Sequence, residues 1–265
     1  MTGSGGRPAI EYQSAANPHK PYVAQLYSPA GAGVLLDAPK DHLHHHGLMF
    51  ALGVDGLTFW AEANKFGRQV PRATNRSGGR LEQVLDWQLP DQRTVLVEDR
   101  AVIVHPETGA SATLVTWRSR LRVAAGQPAV NLTGSHYYGL GLRFVREMDA
   151  HGKFFLGGGA EGESVRGTER LTPAAWCAYT ATLRGQPVTV AVFSHPENLR
   201  PPPRMFTMCT PFSYLGATLN LWKEPYRLEP GRTLDLRYGV AVWDAVPDSA
   251  TVEALFQRWV ALVSR

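Results

Sequence analysis

The sequence predicts an all-β protein, a single antiparallel β-sandwich with one α-helix at its C-terminal end. Three observations predict it. Period-two alternation runs through the chain, 26 glycines and 19 prolines supply the turns that many short strands need, and helical periodicity appears only after Pro247. Hydrophobic residues make up 44% and charged residues 19% of the 265, enough apolar surface for one large core and too little charge for a disordered chain.

The strands follow in order. Segments 93–104, 112–117, 187–193 and 232–243 alternate, carry β-branched and aromatic side chains, and are bounded by Gly, Pro or Asp. Pro106-Glu-Thr-Gly109 is expected to turn the first into the second as a hairpin, and Glu229-Pro-Gly231 to form another before the last. In Trp117-Arg-Ser-Arg-Leu-Arg122 the alternation puts Arg118, Arg120 and Arg122 on one face and Trp117, Ser119 and Leu121 on the other. The arginine face reads as solvated sheet surface. Near the C-terminus, Val252, Leu255, Phe256, Trp259, Val260 and Val263 recur at helical spacing, with Asp248 or Ser249 as cap. Such a helix packs on an edge or on the back of the sheets. Residues 1–18 read as a loose leader to one domain over 19–265, since no linker, composition shift or internal repeat divides the rest.

Several function classes are poorly supported. The net charge of +4 comes from scattered cations without a basic block, so no nucleic-acid partner is expected. No apolar run reaches the ~18–20 residues of a membrane-spanning helix, and no membrane partner is expected. The start has no apolar signal region, and two cysteines, Cys177 and Cys209, build no disulfide framework, which together point to the cytoplasm. There is no Gly-rich phosphate loop opening a helix and no Gly-x-Ser-x-Gly elbow, so no nucleotide cofactor is expected. An unpaired sheet edge would admit a homodimer, although nothing specifies one.

The chemistry concentrates in Asp41-His-Leu-His-His-His-Gly47, which holds four of the nine histidines. If this segment is extended, His42, His44 and His46 share a face and His45 points to the other. Three imidazoles on one face suit one divalent metal ion with open positions. The same histidines suit a metal-free acid–base site, or a hydrogen-bonded strand end with no catalytic role. A cupin is disfavoured, because Leu48 and Met49 stand where its glutamate would be. Phe59, Trp60 and Glu62 follow within one hairpin and offer a platform for a sugar ring beside a carboxylate, or simply core and surface. Arg143 lies opposite Leu140 and Leu142, either exposed or aimed at an anionic or polyhydroxy ligand. His195 and Asn198 occupy a strand-end loop, as a turn or as further site residues. His136, Glu147, Asp149 and His151 are weaker candidates.

These residues resemble a family of largely uncharacterised bacterial proteins labelled PmoA-like. The resemblance rests on Lys20-Pro-Tyr22, Tyr27-Ser-Pro29, Asp41-His-Leu-His-His45 with Gly47-Leu48, Gly56 with Phe59-Trp60, and Gly139-Leu-Gly-Leu-Arg143. It continues through Trp176, Tyr179, His195-Pro with Asn198, Phe212-Ser-Tyr-Leu-Gly216 and Leu228-Glu-Pro-Gly231. The chain departs from the pattern at Leu43, usually proline, and at His46, frequently arginine, which favours His42, His44 and His45 as the functional set. The methane-oxygenase subunit behind the label spans membranes, and this chain has no such span. The resemblance implies a soluble sandwich similar to the galactose-mutarotase superfold and a tie to carbohydrate catabolism.

The reading that results is a carbohydrate-active enzyme, a lyase or hydrolase of a glycoside or oxidised keto-sugar, acting on a small sugar or an oligosaccharide. His45 or His195 moves the proton, Glu62 is an alternative base, and Arg143 steadies an oxyanion. Trp60, Phe59 and Asn198 bind substrate, and His42, His44 and His46 hold a metal or the sugar itself. The alternatives are a metal-free aldose mutarotase or epimerase, a non-catalytic sugar-binding protein, and, more distantly, a metal-dependent oxygenase.

Overall fold

The computed structural model describes residues 1–3, 6–14, 17–106, 111–149, 152–158 and 162–264. Two antiparallel eight-stranded sheets pack face to face. The front sheet runs Ile10–Gln13, Tyr22–Leu26, Leu48–Ala51, Gly139–Arg143, Tyr214–Thr218, Arg204–Met208, Arg170–Pro173 and Glu163–Ser164 in spatial order. The back sheet runs Lys153–Leu156, Trp176–Leu183, Gln186–Ser194, Thr233–Trp243, Ala112–Val123, Thr94–His105, Arg80–Gln88 and Arg68–Ser77. A smaller sheet joins Tyr226–Leu228, Val130–Thr133, Gly53–Val54 and Leu57–Thr58. Its last two strands turn at Asp55-Gly56, both at positive φ (48° and 83°), the backbone a two-residue hairpin requires. No helix among the described residues is long and apolar enough to cross a membrane.

Alternation decides which residues meet between the sheets. Phe50 from the front sheet reaches Trp87 and Tyr238 of the back sheet at ring distances of 6.2 and 6.4 Å. Trp117, Ser119 and Leu121 are buried on the inner face. On the outer face Arg118 binds Asp235 through two bonds of 2.9 and 2.5 Å, and Arg122 pairs with Asp99. One charged pair sits inside the core: Glu98 and Arg100 have fully buried side chains. Every donor there is matched. Glu98 accepts from Trp87 Nε1 at 2.9 Å and Ser119 Oγ at 2.6 Å, and Arg100 donates to Glu98, to Gln69 Oε1 at 2.7 Å and to the Pro21 carbonyl at 3.0 Å.

The helix Ser249–Val263 begins where the cap predicts, with the Asp248 side chain accepting from Thr251 N. It buries Val252, Leu255, Phe256 and Trp259 on the outer face of the back sheet, against Leu114, Trp176, Phe193 and Trp243. Gly239 makes the close approach possible, since a Cβ there would meet the Trp259 ring at 2.9 Å.

Two local expectations change. Glu229-Pro-Gly231 is not a hairpin turn, because Tyr226–Leu228 pairs with Val130–Thr133 while Thr233–Trp243 joins the back sheet. Within the segment read as loose, Ile10–Gln13 forms the front sheet's edge strand, with Ile10 buried and Tyr12 Oη donating to Gln83 Oε1 at 2.7 Å. Residues 107–109 of the expected Pro106–Gly109 turn, and His151, lie outside the described residues.

Removing Glu98 strands a buried guanidinium. Glu98→Ala is expected to cost about 3–5 kcal/mol in urea unfolding. A midpoint close to that of the wild type would show that the pair is not a structural keystone.

Candidate active site

The histidine run is not a strand. Residues 39–45 coil through consecutive turns, with His42 N bonded to the Pro39 carbonyl and His45 N to the His42 carbonyl, each at 2.9 Å. Alternation therefore does not apply. His42, His44 and His45 face one hollow, and His46 points away from it. Gly47 makes the reversal, at φ 30°, with the Val23 carbonyl 2.3 Å from where a Cβ would stand.

The hollow, about 490 Å³, is lined by these three histidines, by Trp60, Tyr137, Phe206, Phe212 and Tyr214, and by the turn from Arg166 to Glu169. Its volume falls within the range of about 300–1,000 Å³ typical of small-molecule pockets. His42 and His45 stack at 4.6 Å, and His44 meets His45 edge-on at the same distance. Trp60 lies flat on Tyr138 at 5.1 Å and edge-on to Tyr137 at 5.3 Å. Tyr214 Oη rests over bare backbone, 2.1 Å from where a Cβ on Gly141 would be.

Three residues of this lining each carry a buried polar atom without a hydrogen-bond partner in the protein: His45 Nδ1, Trp60 Nε1 and Tyr214 Oη. Leaving such groups unpaired costs about 1–3 kcal/mol each. Two of the three histidines, His44 and His45, are held neutral. Burial, reinforced by the other histidines and by Arg143 and Lys20, pulls His45 down to about 2. Burial and the charge of Lys20 lower His44 to about 4. Tyr214 is pushed well above its ordinary value by burial.

Two carboxylate–histidine pairs flank the hollow. His42 Nδ1 is bonded to Asp41 Oδ2 at 2.9 Å, and Asp41 also receives Arg146 at 3.1 Å. On the other side His136 Nε2 is bonded to Glu169 Oε2 at 3.0 Å, and Arg166 donates to Glu169 Oε1 at 2.6 Å. Thr168 ties this turn to the neighbouring loop, donating to the Thr210 carbonyl and accepting from Cys209 N and Thr210 N.

The remaining expected site residues lie elsewhere. His46 is clamped between Asp37 at 2.6 Å and Glu62 at 2.9 Å, so it cannot join His42 and His44 as a ligand. Among the described residues no three His, Cys, Asp or Glu side chains gather as a metal site. Glu62 also takes Lys20 Nζ at 2.8 Å, and Lys20 donates onward to the Trp60 carbonyl at 2.7 Å. Burial opposes ionisation of Glu62, but His46 and Lys20 overcome it and hold the carboxyl at about 2, so it is a fixed anion rather than a base. Phe59 belongs to the core, 4.9 Å from Trp87. Arg143 is on the predicted face, but its guanidinium is buried 3.4 Å above the Phe212 ring, which lines the hollow in its place. His195 packs under the C-terminal helix, 5.9 Å from Trp259 and bonded to Ser264. Asn198 clasps the Arg237 backbone through its carbonyl and amide at 2.8 Å each. Tyr137, Glu169 and Tyr214 were not singled out by sequence reasoning as site residues. The one available signal was Gly141 and Gly216, which clear the sheet beneath Tyr214.

The fold and site define a β-sandwich protein with a histidine-walled aromatic pocket. The chain belongs to the family of unknown function DUF6807, whose profile matches residues 2–257. No curated protein matches it. Among solved structures, a polysaccharide lyase superposes with a TM-score of 0.45 at 9% identity, covering 95% of this chain and 35% of that one. The GH36 alpha-galactosidase AgaA from Geobacillus stearothermophilus gives 0.43 at 10% identity, covering 73% and 29%. This chain thus spans about a third of the length of either, and the chemistry has to come from the pocket itself.

The clamp makes stability depend on pH. Burial opposes the charge on His46, yet bonds to Asp37 and Glu62 raise its pKa above 6.5. Its contribution is therefore complete below 6.5 and lost as pH rises through the raised value. Glu62 contributes above its ordinary 4.5, and that contribution is lost as pH falls toward about 2. Melting temperature against pH should decline on the alkaline side in the wild type and flatten there in His46→Gln. Parallel curves would rule out a charged His46.

Proposed function

We propose that the protein is a carbohydrate-active lyase. It promotes loss of a proton beside the carbonyl of an oxidised sugar, followed by expulsion of an oxygen substituent one carbon further on. The observation that carries this reading is that His45, Trp60 and Tyr214, each holding a polar atom without a protein partner, line one aromatic-walled hollow. Aromatic faces suit the C–H faces of a sugar ring, and unpaired polar atoms suit its oxygens.

The electrostatics assign the roles. A histidine held at about 2 is a poor proton acceptor at neutral pH, which argues against His45 as the proton mover. As a neutral imidazole in its Nδ1–H tautomer it donates to a carbonyl oxygen, and Tyr214, held as the neutral phenol, donates beside it. When the C–H bond breaks, its electron pair moves into an enediolate whose oxygen these two donors hold. Collapse of the enediolate forms the C=C bond and releases the oxygen substituent, which takes a proton from His42, the ring that Asp41 orients.

Hydrolysis is less well supported. Glycosidases generally place two carboxyl groups across the scissile bond, and Glu169 is the one carboxylate among the described lining residues.

The test uses a 4-nitrophenyl glucoside oxidised to a ring ketone. Wild-type protein should release nitrophenolate together with an unsaturated sugar. Tyr214→Phe and His45→Gln should each lower kcat/KM about 10²–10³-fold, the cost of losing an oxyanion donor. Recovery of unaltered probe that still quenches tryptophan fluorescence would make this a binding protein, and a saturated, hydrated sugar product would make it a hydrolase.

A further inference from the structure

We infer that Glu169 is the base that removes the carbon-bound proton, with His136 as its positioning residue. The inference rests on the lyase reading and completes it, since neither His45 nor Glu62 is suited to take that proton.

Placement comes first. Glu169 is 4% exposed yet lines the hollow, so the surface it retains belongs to the site. It stands across from the histidines. The histidine turn leads into Leu48–Ala51, and Glu169 immediately precedes Arg170–Pro173, the fourth strand further along the front sheet. Four strand spacings of about 4.8 Å separate the two, a span wide enough for a ring between them. Tyr214 and Phe206, 6.1 Å apart, lie between these walls.

Chemistry follows from the partners. Arg166 holds Oε1 and His136 holds Oε2, one bond to each oxygen. A carboxylate oxygen accepts more than one hydrogen bond, so both retain acceptor capacity toward the hollow. His136 is itself fixed, its Nδ1 3.2 Å from Ser135 Oγ and its ring 4.9 Å from Tyr137 and 5.6 Å from Phe206. A carboxyl group locked in this way on one wall faces His45 and Tyr214 on the other. A proton leaves the sugar toward Glu169 while charge develops toward His45 and Tyr214. The C–H electron pair becomes the enediolate, the C–O bond breaks as that collapses, and His42 protonates the departing oxygen. Glu169 returns its proton to water, and His42 regains one from water, once products leave. No other reactant is consumed.

The experiment follows the same 4-nitrophenyl keto-glucoside in D₂O, reading nitrophenolate release and deuterium at the carbon beside the carbonyl of recovered probe. Glu169→Gln should lose about 10²–10⁴-fold in release and abolish deuterium uptake. Glu169→Asp, which keeps the charge but withdraws it by one methylene, should retain exchange at a reduced rate, and it serves as the test if the glutamine variant is unstable. His136→Asn should lower kcat with KM little changed. Release and exchange by Glu169→Gln at near wild-type rates, with Tyr214→Phe still impaired, overturns the role of Glu169 alone. If Tyr214→Phe is also undiminished, or the wild type leaves the probe untouched, the lyase reading falls with it.

Discussion

The pocket depends on a buried ionic clasp that never touches it. Lys20, Glu62, His46 and Asp37 form a chain of short bonds behind the histidine turn. Lys20 also grips the Trp60 backbone carbonyl. The clasp fixes both ends of the site at once: it draws His46 away from its neighbours, and it sets the platform on which Trp60 rests. A buried lysine is costly unless paired, and here burial lowers its pKa while Glu62 works in the opposite direction. The clasp is thus held by short bonds along its length.

What lies in front of the clasp is the reverse. His44 and His45 are neutral, and His45 Nδ1, Trp60 Nε1 and Tyr214 Oη make no hydrogen bond within the protein. A folded protein seldom leaves buried donors idle, and three of those idle here belong to residues that line one hollow. The positive field of Arg143 and Lys20 behind this neutral wall also has a direction. It disfavours positive charge on His45, and in the proposed reaction that polarity would favour charge on a substrate oxygen.

The architecture was legible in the sequence because it rests on period-two alternation, which is local. Thr94–His105, Gln186–Ser194 and Thr233–Trp243 lie close to their expected bounds, Ala112–Val123 starts as expected but runs on past 117, and the helix begins after its Asp248 cap. Composition also made the histidine run conspicuous. Its geometry was hidden, because turns centred on Pro39 and His42 override alternation and no local pattern announces them. Glu169 was invisible for a different reason. Only the order of strands in the front sheet carries it to the pocket, and that order is set by pairings far apart in the chain. His195 misled because a histidine beneath a helix and one in a pocket look alike in one dimension.

The bare backbone under Tyr214 sets a limit on how this pocket can diversify. Gly141 leaves nothing beneath the phenol, and at Gly216 a Cβ would come within 3.0 Å of the Leu140 carbonyl. Any replacement at either position can only raise the floor. Depth is already at its greatest, so relatives that keep this sheet are free to become choosier about smaller guests, while accommodating bulkier ones would have to come from the walls.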